Sequence, residues 1–134
     1  MGYYTDYTLT ASICVTTSEG YTLSSIPHII LVGLEDEIEK MNVFDGGGDI
    51  EYGYHANAKW YDWEEDMCLL SKRFPELLFC LRGEGETGDD LWDAYFINGK
   101  IHYCPAVITY DDFDPSKLKD CDIDDEKEEY SYQS

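Results

Sequence analysis

The first part of the chain alternates between apolar and polar residues and predicts a strand followed by a helix. Over residues 3–15 the odd positions are apolar, aromatic or β-branched, whereas most even positions are polar. This period of two is typical of a half-buried strand. After turn residues at 18–20, Ser24 and Ser25 are candidate N-caps and Pro27 fits a first helical turn. Apolar residues then recur at helical spacing, at Ile26, Ile30, Leu34, Ile38 and Met41.

The middle of the chain predicts a hairpin and a second helix. Residues 42–44 suit a short strand that turns through 45–49 into a longer alternating strand over 50–60. Asp62 followed by Glu65 resembles a capping box, and Pro75 ends the helix that follows. The apolar stripe of this helix consists of Trp63, Met67, Leu70 and Phe74.

The last third predicts three more strands. Residues 77–82 suit an interior strand because both of its faces are fairly apolar, and an acidic, flexible connection follows over 83–90. Asn98 and Gly99 lie between two strand-like runs, 91–97 and 100–110, and such a pair favours a hairpin because both residues tolerate positive φ. Pro105 lacks an amide donor, so the final strand is expected at an edge or with a bulge.

These elements predict an α+β sandwich, in which two helices cover one face of a sheet. Their expected order is strand, helix, strand, strand, helix, strand, with an added hairpin strand pair. Residues 1–113 are expected to form a single domain. The acid-rich residues 114–134 are expected to form a partly disordered tail.

Several short segments carry a family resemblance. They are Lys59-Trp60-Tyr61, the run over 74–79, the turn Gly83-Glu84-Gly85-Glu86, Trp92, and Asn98-Gly99-Lys100. Together they resemble small proteins of bacteriophages and mobile elements that look like YubB-type ferredoxin-like domains. The resemblance implies a ferredoxin-like sandwich with an antiparallel or mixed sheet, two helices on one face, an extra C-terminal hairpin strand and a phage origin. It implies no catalytic residue.

The charge balance excludes whole classes of function. The 134 residues include 29 Asp and Glu against 9 Lys and Arg, a formal net charge of −20. Such a chain is repelled by nucleic-acid phosphates and by anionic membranes, so neither is expected as a direct partner. No signal peptide or membrane span is predicted, and the five cysteines form no C-x-x-C pair. Reduced cytosolic thiols are therefore expected, and the resemblance to phage proteins implies the cytoplasm of a bacterial host.

The chain has no recognisable catalytic or cofactor motif. It contains three histidines without metal-ligand spacing, and it has no nucleophile elbow, P-loop or H-E-x-x-H sequence. Glutamates in the Gly83–Gly88 stretch oppose phosphate binding, and the acidic runs at 45–51 and 120–126 do not follow the EF-hand order. No catalytic, cofactor or metal site is therefore expected.

The acidic residues fall into three compact clusters. Solubility requires a net charge of only about 2–8 for a small domain, so the surplus indicates another role. The first acidic cluster is Glu35, Asp36, Glu37 and Glu39, the second is Asp62, Glu64, Glu65 and Asp66, and the third is Glu84, Glu86, Asp89 and Asp90.

Taken together with the phage origin that the resemblance implies, these clusters favour a non-enzymatic inhibitor that mimics nucleic acid. Its partner would be a basic, nucleic-acid-binding host protein such as a CRISPR–Cas effector, a restriction system or a polymerase, which makes it anti-CRISPR-like or anti-restriction-like. Exposed aromatics such as Tyr4, Tyr61 and Tyr130 are candidate substitutes for stacked bases.

Two other functions are compatible with the sequence. One is a regulatory module that binds a protein partner through an edge strand or an aromatic patch, as a monomer or small homo-oligomer. The other is a metal-dependent hydrolase that uses clustered carboxylates such as Asp89 and Asp90.

Overall fold

The computed structural model of the protein describes residues 3–44 and 48–122. Within these ranges the chain forms six strands and two α-helices. They are β1 (Thr5–Thr17), β2 (Gly20–Ser24), α1 (His28–Met41), β3 (Tyr54–Ala58), α2 (Trp63–Arg73), β4 (Leu77–Glu84), β5 (Leu91–Ile97) and β6 (Lys100–Pro105), followed by a 3₁₀ turn at Pro115–Lys117.

The strands form one antiparallel sheet in the order β2-β1-β4-β5-β6. The 13-residue β1 is long enough to pair with two short strands along one side, with β3 near its start and β2 near its end. Its other side pairs with β4 over residues 6–13. The predicted α+β class, with an antiparallel sheet and two helices, is confirmed.

One face of the sheet carries the core. Leu9, Leu81 and Ala94 lie side by side on β1, β4 and β5, and all three are fully buried. The two helices cover this face with their apolar stripes, which join the same core cluster. The buried helix residues are Leu34, Ile38, Met67 and Leu70. The opposite face, which we call the open face, has no helix over it among the described residues.

The β5–β6 hairpin forms as predicted. Asn98 and Gly99 both have positive φ, at 47° and 77°. The Gly99 amide donates to the buried Ser71 hydroxyl at 2.8 Å, and that hydroxyl donates to the Cys68 carbonyl at 2.8 Å, which fixes the turn to α2. β6 pairs only with β5 in the described part of the chain, so Pro105 ends an edge strand, as expected.

The predicted order of elements is wrong at two places. Residues 20–24, where the sequence predicted only the end of a turn at Gly20 and a helix cap at Ser24, form β2, because pairing with β1 satisfies their backbone. Residues 42–44, expected as a strand, form none: Asn42 ends α1 in the left-handed conformation, and its amide donates to the Glu39 carbonyl. The expected turn over 45–47 lies outside the described residues.

The predicted helix caps and the predicted start of the strand after α1 also differ from the structure. Pro27 occupies the N-cap position of α1 and Asp62 that of α2, and neither helix has a side-chain cap hydrogen bond. β3 begins at Tyr54 instead of residue 50, because Gly53 bridges back to Asp49 and closes a tight turn.

The ring of Trp92 leaves no room for a side chain at Gly83 on β4. A Cβ at Gly83 would lie 2.1 Å from Cζ2 of Trp92, which is itself stacked on Trp63 at 4.4 Å between ring centroids. We expect Gly83→Ala to lower the free energy of unfolding by about 1–3 kcal/mol through overpacking. Urea denaturation measures the change. The control is Gly88→Ala, where a Cβ meets nothing within 4 Å; equal effects of the two substitutions would contradict this packing.

Candidate functional site

The first acidic cluster lies along the solvent-facing side of α1. Leu34 and Ile38 point into the core, and their helical spacing places Glu35, Asp36 and Glu39 on the exposed side. The helix axis is held by the core, so these carboxylates project from a rigid support.

Glu37 of the same cluster is used inside the molecule. Its half-buried carboxylate accepts a hydrogen bond from the Arg73 guanidinium of α2 and lies 3.8 Å from the Lys40 ammonium. Lys40 also pairs with Asp36 at 3.1 Å, one helical turn away. The hydrogen bond to Asp36 raises the pKa of Lys40, with further contributions from the charges of Asp36 and Glu37. These two carboxylates are therefore partly neutralised.

The second acidic cluster lies at the start of α2. Asp62, Glu64 and Glu65 are exposed, and their negative charges are favourable near a helix N-terminus. Asp66 is half-buried, and its carboxylate accepts a 2.7 Å hydrogen bond from the indole nitrogen of Trp60. Asp66 therefore holds the chain between β3 and α2 in place.

The first two clusters approach each other across the helix layer. Glu37 and Asp66 line the same small cavity of about 220 Å³ between α1 and α2. Burial and then the charges of Glu35, Asp49 and Glu39 raise the pKa of Tyr54. Asp49, which local sequence spacing does not group with α1, therefore contributes to the negative potential at Tyr54.

Three members of the third acidic cluster, Glu86, Asp89 and Asp90, lie on the loop between β4 and β5, whereas Glu84 is the last residue of β4. The Glu86 carboxylate accepts a hydrogen bond from the Tyr4 amide at 3.0 Å, and the Tyr3 hydroxyl accepts one from the Thr87 amide at 3.1 Å. The Gly85 amide donates to the Asp90 carbonyl at 2.8 Å. The first two bonds fasten the loop to Tyr3 and Tyr4, just before β1, and the third closes the loop on itself.

The members of the third cluster point in different directions. Asp89 is exposed and Asp90 is half-buried against Gly85. Glu84 lies on the open face, directly opposite Asp6 of β1. The cluster is therefore separate from the two on the helix layer.

The open face provides little acid–base or nucleophilic chemistry. Arg82 binds Asp93 through two hydrogen bonds of 2.8 and 3.1 Å, and this pairing raises the pKa of Arg82. His55 is exposed and lies 3.3 Å from the Thr8 hydroxyl. Burial raises the pKa of the Cys80 thiol, which keeps it protonated and weakly nucleophilic.

Neither a metal-binding group nor a membrane-spanning helix is found within the described ranges. No three or more His, Cys, Asp or Glu side chains of residues 3–44 and 48–122 are arranged to hold a metal ion. Neither α1 nor α2 is long and apolar enough to cross a membrane. Comparison of the chain with family models, curated proteins and solved structures found no match in any of the three.

Proposed function

We propose that the protein is a non-enzymatic inhibitor that uses the carboxylates of its helix layer to occupy the basic, nucleic-acid-binding surface of a host protein. The supporting observation is that this layer displays exposed carboxylates that are mostly free of basic partners in the described part of the chain. Among the described residues, Asp36 is the only one of these carboxylates that is paired with a basic side chain. These exposed carboxylates are Glu35, Asp36, Glu39, Asp62, Glu64 and Glu65.

The arrangement of these groups suits a substitute for phosphates. They are carried by two helices packed on one sheet face, so little conformational freedom is lost when a partner binds. The net charge of −20 attracts a basic partner over long range and speeds association. Glu37 and Asp66 stabilise the fold and are not expected to contact the partner.

The proposal includes an anti-CRISPR-like or anti-restriction-like role in the cytoplasm of a bacterial host and kinship with ferredoxin-like phage proteins. Two helices on one face of an antiparallel sheet and the β5–β6 hairpin after β4 support this kinship. The strands between the helices differ from the expected pattern, since β3 is the one strand described there. Tyr4 and Tyr61 are exposed, as an aromatic contact to the partner requires, whereas Tyr130 lies outside the described residues.

Capture from a bacterial lysate tests this function. The tagged protein is expected to retain a basic nucleic-acid-binding protein, identified by mass spectrometry, that elutes early in a salt gradient. A variant with Glu35→Gln, Glu39→Gln, Asp62→Asn, Glu64→Gln and Glu65→Gln is expected to retain at least about tenfold less of it, because each lost ion pair weakens association.

A matched control separates position from total charge. The substitutions Glu19→Gln, Glu51→Gln, Glu76→Gln, Asp120→Asn and Asp122→Asn remove the same number of negative charges from other exposed positions. The control variant is expected to capture the partner nearly as well as the natural chain. Equal losses in both variants would contradict a specific helix-layer surface. Unchanged capture by both would instead favour the module that binds through an edge strand or aromatic patch.

A further inference from the structure

The open face of the sheet contains a largely apolar groove of about 870 Å³. Its floor and walls come from β1, β2, β4, β5 and β6. The described residues that line it include no Asp or Glu, and its only basic side chains are Lys100 and His102. Its aromatic and aliphatic lining is formed by Tyr21, Leu78, Tyr95 and Ile97. In a chain of net charge −20, this surface stands out as free of carboxylates.

The same chain also carries an apolar segment that no other described residue covers. Residues 106–114, which we call the arm, follow β6 and begin where the Ala106 amide donates to the Leu91 carbonyl. Val107, Tyr110 and Phe113 are 85%, 89% and 77% exposed. Large apolar side chains that are exposed together mark an interaction site.

The arm does not fill the groove of its own chain. It leaves the sheet beside Leu91, at the end of β5 opposite to Ile97, which lines the groove. Covering its own groove would require the arm to fold back over the open face, and none of residues 106–114 is among the described residues that line the groove.

We propose that the arm of one copy binds in the open-face groove of a second copy, and that the exchange is reciprocal. The apolar residues of the arm match the apolar lining of the groove, and its Asp111, Asp112 and Asp114 complement Lys100 and His102. The groove also offers a second acidic chain an approach that meets no carboxylate among its described lining. Two identical arms and two identical grooves close a symmetric dimer without further growth.

The oligomeric state of the purified full-length chain tests this exchange. Sedimentation equilibrium at about 1–200 μM is expected to show a monomer–dimer equilibrium. Higher salt is expected to strengthen the dimer, because screening the repulsion between two chains of net charge −20 outweighs screening the few arm carboxylates that face Lys100 and His102. A double substitution in the arm, Tyr110→Ser with Phe113→Ser, is expected to raise the dissociation constant at least about tenfold. Tyr21→Asp, which places a carboxylate in the groove, is expected to do the same.

The control is Tyr52→Ser with Tyr61→Ser, which removes two aromatics that are 83% and 74% exposed outside both surfaces. It is expected to leave the dissociation constant unchanged. Far-ultraviolet circular dichroism confirms that each variant is folded. A monomer at every concentration and salt, or a dimer that survives both the arm and the groove substitutions, would overturn the exchange. Neither outcome bears on partner capture by the helix layer, since that capture is weakened by salt and needs no second copy.

Discussion

Replacement of Phe79 by alanine is expected to lower the free energy of unfolding by about 3–5 kcal/mol. Phe79 is fully buried at the centre of β4, between Ala11 of β1 and Phe96 of β5. Its ring lies on the core side of the sheet, beneath the helix layer. Truncation removes the buried apolar surface and leaves a cavity that the surrounding strands and helices cannot fill.

Urea denaturation measures this loss, and the neighbouring residue provides the control. Leu78 lies on the open face and is only half-buried, so Leu78→Ala is expected to cost about 1 kcal/mol or less. Native proteins have a stability of about 5–15 kcal/mol, so this loss is a large fraction of the total. Similar costs for the two substitutions would contradict the assignment of a covered face and an open face.

The sequence patterns that predicted the fold correctly belong to helices and strands that bury one face and expose the other. Helical spacing of Leu34 and Ile38, and of Met67 and Leu70, placed α1 and α2 within a few residues of their observed bounds. The Asn-Gly pair predicted the β5–β6 hairpin because its positive φ values suit few other residues.

The strand β2 was missed because local pattern carries little information there. All five of its residues are exposed, so no apolar alternation marks it, and its serine-rich end reads as a helix cap. The strand forms because the second half of the long β1 offers a free edge. Such pairing depends on a neighbour and not on the segment itself.

In the candidate site, too, local sequence patterns predicted the exposed positions but not the contacts between distant segments. The exposed positions of Glu35, Glu39, Glu64 and Glu65 follow from the apolar stripes of the two helices. The hydrogen bonds and ion pairs that acidic residues make within the molecule could not be predicted from the sequence, because they join segments that are distant along the chain. The Glu37–Arg73 contact spans 36 positions and the bond from the Tyr4 amide to Glu86 spans 82.

The two proposed surfaces lie on opposite faces of the sheet. The groove and arm exchange uses the open face, whereas the acidic clusters of α1 and α2 lie on the helix layer. A dimer closed through the open faces therefore leaves both helix layers accessible. Each copy is expected to bind one partner molecule, with little coupling between the two sites.

The central claim is that the carboxylates of the helix layer bind a basic surface, and the salt dependence of that complex tests it most directly. With the captured partner purified, the dissociation constant is measured by isothermal titration at salt concentrations between about 50 and 200 mM. We expect it to rise about 100-fold over this range. The rise is smaller than the roughly 10³–10⁵ seen when proteins bind duplex DNA, because separate carboxylates condense fewer counterions.

The variant with five neutralised helix-layer carboxylates is expected to bind more weakly and to give a shallower slope against the logarithm of salt concentration. The matched control variant is expected to keep the slope of the natural chain. A dissociation constant that does not change between about 50 and 200 mM salt would contradict the claim.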